Sequence, residues 1–554
     1  MKLDKGYVIG VDFGSDSVRA VLVDSMDGST IATKTYLYKR WSEEKYCNFQ
    51  KSQYRQHLRD HIEGMESVIL SVLTESKVDP NTVLGIGLDT TGSSPLPVNR
   101  DGDALCLTDE FAENPNSMVI LWKDHSAIRE AEEINSLSHS WGGTDYTKYV
   151  GGVYSAEWFW AKILYISRID NSVKENAHSW VEHCDYMTSL LTGNKKAHLI
   201  MRSRCAAGHK AMWHDEWSGL PSDEFFERLD PYLVQIKHTF GETTYTSDSL
   251  AGNLSTFWAE KFGLSTNVKV SVGTFDAHAG ALGAEVKEGT LVRVMGTSTC
   301  DIIVTDPGKT ENVVKGICGQ VSGSVLPDMI GLEAGQSGFG DTLAWFVKLL
   351  SWPLTFTLDG YKEKKDEITE KIFDTLSHEA SELPISDRAP LALDWINGRR
   401  TPDANHNLKA GMLNLGLDTD APNVFRALVE AICFGSKAII NRFIEEGIQI
   451  NEIVAIGGVA KKSEFVMQTL SDVLATPIKV AASNQAPALG AAMYAAIASG
   501  VHPNTEIAIK RMGQGFEKHF TPIPKNSDQY EVLFRNYLKL ASFVESGTGS
   551  DSNI

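Results

Sequence analysis

Cysteine is scarce in this sequence. The seven cysteines are scattered through 554 residues, with no Cys-x-x-Cys pair. That excludes a disulfide framework and a structural zinc site, and it fits a reducing compartment. No apolar run approaches the roughly 20 residues that span a bilayer. The opening "MKLDKGYVIGVDFG" has neither a secretory h-region nor a cleavage site, so the chain reads as cytoplasmic. Basic residues are outnumbered, 52 Lys and Arg against 71 Asp and Glu, for a formal net charge of −19. A surface this acidic repels nucleic acid and anionic membrane, and neither is expected as a partner. A small anionic ligand is not excluded, because local backbone dipoles can hold one. Two common nucleotide signatures are also missing. "GGVAKKS" lacks the second glycine of a Walker A loop, and no Gly-x-Gly-x-x-Gly follows the first apolar strand.

What is present is ordinary globular material: 42% of residues are hydrophobic. The length predicts two or more domains. Tyr7 to Val11 and Val18 to Val23 read as strands around the turn "DFGS", and Asp27-Gly28 leads into a third strand near Ile31 to Tyr38. Gln56 to Ser76 has helical spacing, "VLGIGLD" is a strand ending at Asp89, and Asp124 to Leu137 is again helical. In the helical "SAEWFWAKILYISRI", Trp158 and Trp160 recur among apolar neighbours and read as core. A strand ends at Asp276 and runs into the small-residue stretch "AHAGALGA". The opening pattern then recurs in "GTLVRVMGTSTCDIIVTDPG", where Gly296 matches Gly14 and Thr297 matches Ser15, so two related domains are expected. "INEIVAIGGVAKKSEFVMQTLSDVL" reads as strand, Gly457-Gly458 turn and helix, and "APALGAAMYAAIASG" as an Ala-rich helix. A last helix is expected from Gln529 to Ser542, with the final nine residues disordered.

The glycine turns permit close approach of a ligand to the backbone. Their consecutive N–H groups can form an anion-binding concavity. Taken singly, each turn reads first as an ordinary connection between two elements. Taken together they suggest a phosphate site. Asp12 beside such a turn is unfavourable unless a cation intervenes, and Mg²⁺ held by Asp12 through water answers that. Asp276 has no obvious local cation. It reads either as a helix cap or as a base that accepts a proton from a substrate hydroxyl. On the second reading the small residues behind it leave room for the substrate.

"GVDFGSDSVRAVLVD", "GTFDAHAG", "VMGTST" and "AIGGVAKKS" occur in order and at the spacing of the FGGY carbohydrate kinases, which the sequence resembles from about Tyr7 to Gly500. The resemblance implies an α/β fold of two ribonuclease-H-like (actin-like ATPase) domains with a cleft between them. Residues 1–286 would bind sugar, 287–500 nucleotide, and 501–554 would form a C-terminal helical extension and tail. "LDTTGSSPLPV", "LWKDHSA", "RSRCAAGHKAMWH" and "GLEAGQSGFGDTLAWF" resemble the branch that phosphorylates L-ribulose at C5 in L-arabinose catabolism, with ATP and Mg²⁺. Other pentuloses or pentitols are the alternative substrates, and an actin-like ATPase without sugar activity is the alternative class. By resemblance Asp276 is the general base. Leu96, Lys210, Asp276 and Glu333 meet the sugar. Gly14, Ser15, Gly296, Thr297, Gly340, Gly457, Gly458 and Lys461 surround the nucleotide, and Asp12 lies near Mg²⁺. Without the resemblance, Lys210 is an ordinary surface lysine and Glu333 a solvated loop acid. Asp124 is either a cap of the following helix or a sugar contact. The resemblance leaves a homo-oligomer open.

Overall fold

The computed structural model describes residues 6–309, 313–357 and 361–548. Two seven-stranded sheets dominate it, and they repeat one plan. In the first, β1 (Tyr7–Phe13), β2 (Ser17–Asp24) and β3 (Thr30–Leu37) form an antiparallel meander. β4 (Val83–Thr90) pairs parallel to β1, and β5 (Leu250–Asn253) is the antiparallel edge against β6 (Lys269–Ser271). Both β6 and the two-residue β7 (Thr274–Phe275) lie parallel along β4. The predicted strand ending at Asp276 is therefore broken in two at Val272-Gly273.

The second sheet starts from the meander β8 (Thr290–Met295), β9 (Thr299–Thr305) and β11 (Ile330–Ala334), with β10 (Gly319–Ser322) added outside β11. β12 (Glu452–Ile456) and β13 (Ile478–Ala481) follow in parallel, and β14 (Phe516–Phe520) closes the edge antiparallel. Strand order and direction match the first sheet. β14 falls in the segment expected to be an extension outside the second domain. It is instead the counterpart of β5, and the helix Pro524–Thr548 behind it buries Tyr530, Phe534 and Tyr537 in the second core. The disordered tail expected from Ser546 is helical through Thr548, and its remainder lies outside the described residues.

Between β4 and β5 the chain builds a separate aromatic core around Trp160, Trp180, Phe225 and Phe226. Trp160 is fully buried there and donates from Nε1 to the Ala211 carbonyl at 2.8 Å, as core packing requires.

Two helices join the sheets. α1 (Asp276–Gly283) follows β7 and reaches β8 and β9, while α2 (Ala486–Ala498) packs on β1 and β4. Each helix leaves the half in which its sequence lies and packs on the other half's sheet as well. α1 and α2 meet almost backbone to backbone: a Cβ on Gly490 would stand 1.8 Å from the Ala279 carbonyl oxygen. On the sheet side, a Cβ on Gly10 would stand 1.7 Å from the Ala488 carbonyl. The small residues behind Asp276 thus serve helix packing. They do not make room for a substrate, as the sequence suggested.

This contact predicts a stability effect. Gly490→Ala puts a methyl against a carbonyl that cannot swing aside, and overpacking of this kind costs about 1–3 kcal/mol. The midpoint of urea unfolding should fall accordingly. A midpoint equal to that of the parent would show that α1 and α2 separate freely.

Candidate active site

The carboxylates Asp12, Asp89 and Asp276 converge where the parallel strands of the first sheet end. Register explains it: Asp12 stands opposite Asp89 across β1 and β4, and Asp89 stands opposite Thr274, two residues before Asp276. Asp12 accepts from the Arg19 guanidinium at 2.8 Å across the β1–β2 hairpin. Both Asp89 oxygens are buried and no donor group among the described residues reaches them, and Asp12 lies close enough to accept from a protonated Asp89. Burial first, then the charges of Asp12 and Asp276, hold the Asp89 carboxyl well above its usual range. Burial, with the charge of Asp12 second, pushes Asp276 up to about 7. Asp276 is the first residue of α1 rather than its cap, which is Phe275, and its Oδ1 accepts from the Ala277 N–H at 2.7 Å.

A divalent cation fits this donor set. The orphaned oxygens of Asp89, between two further carboxylates, are hard ligands in need of positive charge. Arg19 supplies part of that charge already, so the sequence argument that only a metal could offset Asp12 is too strong. Arg19 and Asp89 were missed in the sequence reading. Asp89 carries a signal there, since "VLGIGLD" ends a strand on Asp as "YVIGVD" does.

The phosphate-loop candidates are turns between strands. The Gly14 N–H donates to the Ser17 carbonyl at 2.9 Å. Ser15 is anchored from two sides, its hydroxyl by Trp122 Nε1 at 2.9 Å and its carbonyl by Gln56 Nε2 at 2.6 Å. Thr297 is exposed, and its carbonyl accepts the N–H groups of Phe339 and Asp341 at 2.8 and 3.0 Å. Gly296, Gly340 and Gly458 line one cavity of about 1030 Å³, together with apolar residues that include Val459, Phe465 and Phe373. Gly340 opens the 11-residue helix Gly340–Leu350, whose N-terminal dipole favours an anion there. Gly457 turns the chain at φ +97° just beneath, against the Met295 carbonyl. Lys461 does not line the cavity. Its ammonium donates to the Ala482 carbonyl at 2.9 Å and pairs with Glu517 at 3.1 Å, and it is Lys462 that lines the cavity.

The sugar candidates divide. Lys210 is 3% exposed, so it is no ordinary surface lysine. It ends the helix Arg204–Lys210, lies 5.0 Å over the Trp158 ring and donates to Glu333 Oε1 at 2.7 Å. Glu333 sits in β11, not in a loop. Both line a small chamber with Trp122, Glu157, Trp158 and Arg400. His209 and His278 stand beside them, Nε2 to Nε2 at 3.0 Å. Burial drives His278 to about 4 and His209 well below its usual value, so both are neutral near pH 7. With Glu333 they bring one ligand atom each within 4.8 Å of one another. The Lys210 ammonium engages Glu333 Oε1 only, while Glu333 Oε2 and the Nδ1 atoms of His209 and His278 are buried without a hydrogen-bond partner and stand available to hydrogen-bonding groups of a ligand. Leu96 is fully buried in the first core, within the strand Pro95–Val98, and its side chain is unavailable to a ligand. Asp124 is neither cap nor sugar contact. It is fully buried and binds Arg55, the Tyr54 N–H and the Ser126 hydroxyl, while the next helix begins at Ile128 with Ala127 as its cap.

Two sheets of one plan, a buried carboxylate cluster and a glycine-lined cavity are the parts of a sugar kinase. Residues 7–283 match the N-terminal domain, and residues 291–499 the C-terminal domain, of the FGGY family of carbohydrate kinases. The chain belongs to that family. A ribulokinase from Vibrio parahaemolyticus is 43% identical over 544 residues, covering 97% of this chain and 96% of its own. One from Halalkalibacterium halodurans is 37% identical, covering 98% and 95%. Among solved structures, a xylulose kinase from Rhodospirillum rubrum superposes with TM-score 0.76 at 20% identity, covering 98% of this chain and 99% of its own. A Plasmodium falciparum glycerol kinase with ADP gives 0.74 at 16%, covering 97% and 98%. These likenesses show that the chain shares the fold of those kinases. Among the described residues no helix is long and apolar enough to cross a membrane.

Proposed function

We propose that the protein is a ribulokinase, transferring the γ-phosphoryl group of ATP to the C5 hydroxyl of L-ribulose in L-arabinose catabolism. The sugar is argued from the relatives of that name, which match along nearly the whole chain. The mechanism is argued from Asp276, a carboxylate held near pKa 7 beside the chamber of Lys210 and Glu333.

The reaction is a direct in-line displacement. Asp276 accepts the hydroxyl proton as the sugar oxygen attacks the γ-phosphorus, and the bond from that phosphorus to the β–γ bridging oxygen breaks to release ADP. Lys210 and Glu333 orient the sugar, with the two neutral histidines as further hydrogen-bonding groups. The Gly14 and Gly296 N–H groups close their own turns on the Ser17 and Ser298 carbonyls, which leaves the hydroxyls of Ser15 and Thr297 and the following N–H groups for the phosphates, and the cavity at Gly340 and Gly458 receives the nucleoside. Mg²⁺, held by Asp12 and Asp89 directly or through water, would neutralise charge on the transferred phosphoryl group. Residues of both halves line the chamber, so closure of the cleft would complete it and exclude water.

The test is ADP release with Mg-ATP and a panel of L-ribulose, D-ribulose, D-xylulose, ribitol, glycerol and no sugar. L-Ribulose should give the highest kcat/KM. A lead by another polyol would keep the mechanism and change the substrate. Equal turnover without any sugar would sink the kinase reading in favour of an actin-like ATPase.

A further inference from the structure

Two ion pairs cross the cleft on the wall of the sugar chamber. In Lys210–Glu333 the first half gives the cation and the second the anion. In Glu157–Arg400 the order is reversed. Arg400 Nη2 donates to Glu157 Oε1 and Oε2 at 3.1 and 3.4 Å. His125 Nε2 holds the same Oε1 at 2.8 Å from the other side. Glu157 is thereby fixed by two groups. Burial alone would raise its pKa, but Arg400 and then His125 overcome that and keep it ionised. The guanidinium also lies 5.7 Å over the Trp122 ring, whose indole N–H anchors Ser15.

Among the described residues, three polar groups that line the chamber are buried without a hydrogen-bond partner, Arg400 Nε, Glu333 Oε2 and His406 Nδ1, and the guanidinium N–H is the one that can only donate. Arg400 Nε is buried with no acceptor, and Arg400 lines the chamber. Buried donors in folded proteins have partners, and an exception calls for an explanation. The Glu157 pair engages only one arm of the planar fork, so the guanidinium is oriented while Nε–H stays free for a ligand oxygen. Asp276 is absent from the chamber lining.

We propose that Arg400 is a sugar-recognising residue contributed by the second half, with its Nε–H donating to a substrate oxygen, and that Glu157 and His125 are the positioning residues that aim it. The inference rests on the sugar-kinase reading above. It makes sugar binding and cleft closure one event, because the sugar meets Arg400 only when the second half is drawn against Glu157.

The experiment is steady-state kinetics of Arg400→Met, Arg400→Lys and Glu157→Gln, with sugar and ATP varied separately and folding checked by thermal midpoint. Arg400→Met should raise the sugar KM at least about tenfold and leave the ATP KM within about twofold, the signature of lost ground-state binding. Glu157→Gln should move the sugar KM the same way by less, and add little in the double variant. Should Arg400→Met fail to fold, Arg400→Lys keeps the charge beside Glu157 but lacks the Nε–H, and the same rise is expected. A sugar KM within twofold of the parent in a folded Arg400 variant, or equal rises in both KM values, would overturn the proposal. If the parent prefers another polyol, the ribulose assignment fails, and the Arg400 comparison is read on that polyol.

Discussion

Replacing Asp276 with Asn is expected to lower kcat by about 10²–10⁴-fold, the usual contribution of a general base. Asn has the same shape, and its side-chain oxygen can still accept the Ala277 N–H that Asp276 binds at 2.7 Å. The start of α1 should survive. The cavity proposed for the nucleotide is lined by residues from Gly296 onward, and Asp276 is not among them, so the ATP KM should stay within about twofold. Stability gives an independent readout. Asp276 feels repulsion from Asp12 and Glu333, and removing its charge should leave the thermal midpoint unchanged or higher. A large loss of kcat in a protein that is no less stable separates chemistry from structure. If turnover stayed near that of the parent, Asp276 would merely begin a helix.

The strands that carry this site were legible because each is a short apolar run bounded by a glycine turn. The match of Gly14 with Gly296 revealed the duplication, and the repeated strand order of the two sheets bears it out. What escaped was set by register and by distant packing. Asp89 becomes a neighbour of Asp12 only through the parallel pairing of β1 with β4, and the long stretch between those strands hides it. The small residues after Asp276 were read as space because α2, their partner, lies some 200 residues further on. Edge strand β14, "FEKHF", alternates half-buried and exposed residues and has no apolar run to mark it. Lys461 and Lys462 are adjacent, and only the phase of their short helix decides which one faces the cavity. Arg400 and Glu157 are 243 positions apart, and nothing local in either stretch announces the other.

Acid should silence the enzyme well above the range where ordinary aspartates titrate. The Asp276 carboxyl is pushed up to about 7, by burial first and then by the charge of Asp12, with Glu333 adding to it and Arg19 and the Ala277 N–H opposing. A base must be ionised to accept a proton, so activity is present above that value and lost below it. The kcat/KM for the sugar should fall progressively as the carboxyl is protonated, and Mg²⁺ at Asp12 and Asp89, by offsetting the Asp12 charge, would leave burial as the main cause and move the limb somewhat lower. The buried histidines do not produce such a limb. Burial drives His278 to about 4 and His183 to about 3, so both stay neutral across the window. The control is the residual activity of Asp276→Asn, which should lack the limb because its titrating group is gone. A parent profile flat from pH 8 to 5.5 would mean that no carboxylate with a raised pKa takes the proton. A limb that persisted in the Asn variant would assign it to another group, with Asp89, whose carboxyl is also held high by burial and by its neighbours, the first to replace.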